Sequence, residues 1–153
     1  MSMYAREQTH GSAQRLRHGN GMKYPIWYTE KGMTGGIIGW QKFCIIAVKP
    51  DYKGDVGLYH HELTHVKQWA LMSLVTGLLL AAVWLPLTPL SIAIHSLLYT
   101  LVPAYKLRCE VAAFKEQLRH YPDDRALKFA GFISRNYGLN ITQEQAVSKL
   151  VGD

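Results

Sequence analysis

Apolar and polar positions change texture three times along the chain. Residues 1–21 are polar, with Arg6, His10, Arg15, Arg17 and His18 and no apolar stretch, so this segment is expected to be a flexible tail without a secretory signal. From Met22 short β-prone runs follow: Tyr24-Pro25-Ile26-Trp27-Tyr28, then Ile37-Ile38-Gly39-Trp40 and Phe43-Cys44-Ile45-Ile46-Ala47-Val48. The turn residues of Lys31–Gly36 lie between them, and Pro50–Asp55 closes the region. The pattern predicts a β-hairpin or three-stranded sheet packed on the helix that begins near Gly57. That helix runs into a segment with no Asp, Glu, Lys or Arg from Trp69 to Tyr105. Leu85-Pro86-Leu87-Thr88-Pro89 divides the segment into Ala70–Leu85 and Leu90–Ala104, each about 24 Å long as helix. Neither half shows a clean amphipathic stripe, and a helix apolar all round is either deep core or lipid-facing.

After the apolar hairpin the period returns to that of surface helices. Leu107, Glu110, Ala113, Phe114 and Gln117 share one face of a helix expected over Lys106–His120. Tyr121-Pro122-Asp123-Asp124 ends it and starts another helix through Ala126, Phe129, Ala130 and Ile133, with Gly138 as a left-handed stop. Thr142 and Gln145 form a capping box for a last helix to Leu150. The predicted fold is therefore α+β and mostly helical, with residues 22–153 forming one domain.

The totals narrow the function classes. Seventeen Lys and Arg against 11 acids give +6, spread along the chain without the dense basic run of a nucleic-acid arm. Two cysteines, Cys44 and Cys109, have no framework spacing and are expected to be buried free thiols, as in a reducing compartment.

The chemistry concentrates in His61-Glu62-Leu63-Thr64-His65, an H-E-x-x-H run. Residues four apart lie on one face of a helix, so both imidazoles can hold one metal ion, and Glu62 is placed to take a proton from a metal-bound water. His60 points about 100° away and reads as structural, and Gln68, one turn after His65, reads as a support for the site. A catalytic zinc site needs a third protein ligand. No further histidine occurs before His95, which leaves the acids beyond the apolar segment: Glu110, Glu116, Asp123, Asp124, Glu144 and Asp153. Glu110 is the best of them, because it stands in the apolar context Cys109-Glu110-Val111-Ala112-Ala113-Phe114, where an unpaired carboxylate is costly to bury. Glu116 reads as solvated, and Asp123 and Asp124 as capping residues.

His61-Glu62-Leu63-Thr64-His65 with Glu110 in an E-x-x-A-F context resembles the gluzincin metallopeptidases, over about residues 37–117. The small size is similar to minimal gluzincins, and the apolar hairpin between the two motifs is similar to the Ste24/HtpX-type membrane proteases. The resemblance implies one Zn²⁺ held by His61, His65 and Glu110, with Glu62 as the catalytic base and peptide bonds as substrate. The chain is far shorter than the larger members, and no residue matches the group that steadies the oxyanion. His120, Tyr121, Tyr105 and Arg108 are the candidates. If Glu110 closes the site, the segment 70–105 must leave and return to one side, by two crossings, by a re-entrant dip, or as a hairpin buried in protein. Lys67 and Lys106 flank it, which places the site on the cytoplasmic side of a membrane; a soluble cytoplasmic protein is the alternative. The expected partners are a peptide or protein substrate and membrane lipid, with no nucleic acid and with oligomers possible. The competing function is a catalytically silent, zinc-stabilised module that binds a partner.

Overall fold

The computed structural model describes residues 26–31, 38–121 and 124–152. The expected N-terminal tail lies outside the described residues, as does most of the Lys31–Gly36 turn. Three short strands, β1 (Ile26–Tyr28), β2 (Gly39–Lys42) and β3 (Ile45–Val48), form a sheet of order β1-β3-β2. β3 is central, parallel to β1 and antiparallel to β2, with Gly39 opposite Val48 and Lys42 opposite Ile45. Ile46, Ala47 and Val48 are buried accordingly, while the hairpin end carries exposed Phe43, Cys44 and Ile45. Cys44 is thus an exposed thiol, contrary to the expectation of two buried ones. A hairpin tip has no second layer to cover it.

Asp55 opens α1 (Val56–Val83) by accepting the Leu58 backbone N–H at 2.8 Å. Its carboxylate also accepts the Tyr121 hydroxyl at 2.7 Å, tying the start of α1 to the end of a later helix. That contact leaves no room at Gly57, where an added Cβ would stand 2.5 Å from the Tyr121 ring. Leu58 and Val66 pack against Ile46 and Val48, so the sheet covers one face of the first four turns of α1.

Past Trp69, α1 leaves the sheet and becomes apolar and exposed. A 3-10 turn at Leu85–Leu90 reverses the chain into α2 (Ser91–Leu101), which returns along α1. The two helices approach closely at Gly77, where a Cβ would meet Ser91 Oγ at 3.3 Å, and Trp69 Nε1 donates to the Ile92 carbonyl at 3.0 Å. The expected continuous helix over Leu90–Ala104 is broken: Val102 is extended and Pro103 opens α3 (Pro103–Leu118), with a 98° bend between the segments. The cause is local, since a residue before proline is driven out of the helical region. α3 then runs beside α1 and carries Glu110 back to the motif.

α4 (Ala126–Asn136) and α5 (Gln143–Val151) pack on α3 around Phe114, Phe129, Ala130, Ile133, Ala146 and Leu150. Asp124 accepts the Ala126 N–H at 2.9 Å, Gly138 takes φ 63°, and both halves of the Thr142–Gln145 capping box form. The mostly helical α+β class holds, with two small cores on either side of the α1–α3 contact.

Candidate metal centre

The α1–α3 contact brings the three predicted ligands together. His61, His65 and Glu110 are 5 %, 8 % and 1 % exposed. His61 Nε2 and His65 Nε2 are 3.3 Å apart, His65 Nε2 is 3.6 Å from Glu110 Oε1, and His61 Nε2 is 3.9 Å from Glu110 Oε2. Donors bonded at ~2.0–2.1 Å to a tetrahedral ion sit about 3.3 Å apart, so this set needs only a small contraction to close.

Gln68 and Cys109 fix the chemical state of His65. The Gln68 amide donates to the Cys109 carbonyl at 3.1 Å, which leaves its Oε1 to face His65 Nδ1 at 3.0 Å. Oε1 can only accept, so Nδ1 carries the proton and the Nε2 lone pair points into the site. Gln68 is the support its spacing suggested. Replacing it with Ala is expected to weaken metal binding by about 10- to 100-fold without unfolding the protein, measured by competition with a chelating dye. His61 is braced differently, with its ring edge against Phe114 at 4.4 Å and Gln117 facing it, although Nδ1 makes no hydrogen bond of normal geometry. Burial and the neighbouring His65 push its pKa well down, so His61 is neutral and ready to ligate.

Glu62 is buried between α1 and the start of β2. A Cβ on Gly39 would stand 2.9 Å from Glu62 Oε1, so the strand and the carboxylate touch because residue 39 is glycine. Burial, followed by the charge of Glu110, pushes Glu62 up to about 8. Two buried carboxylates close enough to feel each other's charge are eased by a proton or a nearby cation. Glu110 Oε2 and His61 Nδ1 have no hydrogen-bond partner among the described residues. Two imidazoles, one carboxylate, an unpartnered oxygen and a lone pair aimed inward are the donor set of a zinc site. The residues fit the ion.

None of the four oxyanion candidates faces this centre. Tyr121 is engaged with Asp55 and Gln117, Tyr105 donates to or accepts from His95 Nδ1 at 2.8 Å, His120 stacks on His60, and Arg108 is exposed. Two other tyrosines surround Glu110 instead. The Tyr99 hydroxyl, from α2, donates to Glu110 Oε1. Tyr137, beyond α4, faces the same carboxylate, and burial with the Glu110 charge pushes its phenol up. Lys106 Nζ donates to the Tyr137 carbonyl at 3.2 Å and lies over the Tyr99 and Tyr137 rings at 5.6 and 5.5 Å. The sequence carried one cue to Tyr99, a phenol in a segment without Asp, Glu, Lys or Arg. Tyr137 sits beside the helix-stop glycine and gave none.

No family model matches the chain, and no curated protein and no solved structure is significantly similar to it.

Proposed function

We propose that this protein is a zinc-dependent metallopeptidase with Glu62 as its general base. The observation that carries the reading is the convergence of His61, His65 and Glu110, with Glu62 one residue away and equally buried. Zinc at such a site lowers the pKa of a water and polarises a carbonyl. The protein's own contribution is to hold the ligand lone pairs inward, through Gln68, and to exclude bulk water. Glu62 takes a proton from the attacking water and delivers it to the leaving amine. Among the described residues β2 is an edge strand beside Glu62, so its outer edge can align an extended peptide by strand addition. Hydrolysis of an unstructured protein, abolished by a chelator and restored by Zn²⁺, tests the reading. Tight zinc binding without turnover would favour the silent partner-binding module.

The apolar hairpin supports membrane association. Leu71, Leu74, Leu78, Leu79, Val83 and Trp84 are all exposed, with Leu78 at 65 % and Val83 at 79 %. Large exposed patches of this kind mark an interaction surface. α1 is long and apolar enough by itself to cross a membrane. Its first turns, however, are committed to the sheet and the metal centre, which leaves Ala70–Val83, about 21 Å of helix, to enter lipid. The returning α2, 11 residues, spans about 16 Å. Both fall short of a hydrocarbon core of ~30 Å, so the hairpin fits a dip into one leaflet better than two crossings. Of the flanking cations, Lys106 donates to the Tyr137 carbonyl, while Lys67 is exposed. By the positive-inside tendency of Lys67 and Lys106, we propose that the site lies on the cytoplasmic side of the membrane. Purified protein is expected to float with phospholipid vesicles. The Leu78→Asp/Leu79→Asp variant should lose at least about 100-fold in partition, because each charge costs ~2.5–3.5 kcal/mol in hydrocarbon. Both side chains are more than 60 % exposed, so the fold should survive. Wild-type protein remaining in the aqueous fraction would support the soluble alternative.

A further inference from the structure

A second group of potential ligands stands at the outer end of the α1–α3 contact. His60 projects from α1, Glu116 from the last turn of α3, and His120 from the turn that follows, with one ligand atom of each within 4.8 Å of the others. The arrangement inverts the first site. There α1 supplies two residues four apart and α3 one; here the end of α3 supplies two residues four apart and α1 one.

Two details separate this cluster from an ordinary surface ion pair. Glu116 Oε1 lies 3.9 Å from His60 Nδ1 and 3.7 Å from His120 Nε2, too far for a hydrogen bond to either. An ion bonded at ~2.0–2.1 Å to both partners would draw each pair in by about 0.4–0.6 Å, to the spacing of tetrahedral donors. Second, His120 Nε2 is shielded from solvent and has no hydrogen-bond partner among the described residues. The two imidazoles stack at 3.9 Å with planes 17° apart, so one ring must turn out of the stack for both lone pairs to meet one ion. Arg119 holds Glu116 Oε2 at 2.8 Å and so leaves Oε1 as the oxygen turned to the histidines.

We propose that His60, Glu116 and His120 form a second, peripheral divalent transition-metal site. Two imidazoles and one carboxylate suit Zn²⁺ or Ni²⁺ and disfavour Mg²⁺ and Ca²⁺, which take oxygen ligands. Its side chains are 29 %, 29 % and 26 % exposed, against 10 % or less for the inner set, so water competes and the ion exchanges faster. The peripheral site is therefore the weaker of the two.

Equilibrium dialysis of the full chain in lipid nanodiscs against Zn²⁺ tests this, with circular dichroism to check folding. Wild type is expected to bind two equivalents, the second at least tenfold more weakly. His120→Ala and Glu116→Gln should each weaken that second equivalent by at least tenfold and leave the first unchanged. His65→Ala should weaken the first and leave the second, so the two sites fail independently. Saturation of wild type at one equivalent, or a second equivalent that either His120→Ala or Glu116→Gln leaves unchanged, overturns the proposal. So does loss of both equivalents in His65→Ala protein that remains folded.

Discussion

Glu62→Gln is expected to lower peptide-bond hydrolysis by about 10²- to 10⁴-fold, the range in which a positioned acid–base group contributes. Zinc content should not change, because Glu62 is not one of the three converging side chains. The substitution keeps the shape of the side chain, so the close contact with Gly39 is preserved. It removes the site's means of accepting a proton. A variant that keeps its metal and its fold but loses turnover separates an enzyme from a silent zinc module. Persistent turnover would mean that some other group acts as base, and would remove the reason for burying Glu62 next to Glu110.

Glu110→Gln should weaken zinc binding by more than about 100-fold, exceeding what is lost when only a supporting residue is changed. The carboxamide fills the same space and still accepts from Tyr99, so metal-free stability should change little. The difference should appear in melting temperature on adding zinc. A ligand at 100 times its dissociation constant stabilises the folded state by about 2.7 kcal/mol, and most of that response should vanish in the variant. Equal zinc-induced stabilisation of wild type and Glu110→Gln would exclude Glu110 as a ligand.

Much of the site was legible because its parts are local. Spacing within one helix puts His61, His65 and Gln68 on a shared face whatever the rest of the chain does. Glu110 was legible for another reason: a carboxylate amid alanine, valine and phenylalanine needs a partner. The helix stop at Gly138 and the box at Thr142 follow from backbone chemistry within four residues. The sites of failure are long-range. Tyr105 and His120 were among the oxyanion candidates, yet the helix turns Tyr105 towards His95 and His120 towards His60. Tyr99 reaches Glu110 only because the chain bends by 98° at Val102 and Pro103, and Tyr137 only because α4 packs on α3. The bend itself was available from the proline rule, but an unbroken apolar run masked it.

His60 shows the opposite limit. Its position off the face that carries His61 and His65 follows from the helical period. What the sequence could not give was the ring of His120 stacked on it, 60 positions away.

X-ray absorption at the zinc edge, on protein loaded with one equivalent, tests the central claim most directly. Two imidazole nitrogens at ~2.0–2.1 Å with oxygen in the remaining positions, changed when Glu110 is replaced by Gln, is the result expected. A sulfur at about 2.3 Å, or a spectrum identical in wild type and Glu110→Gln, would contradict it.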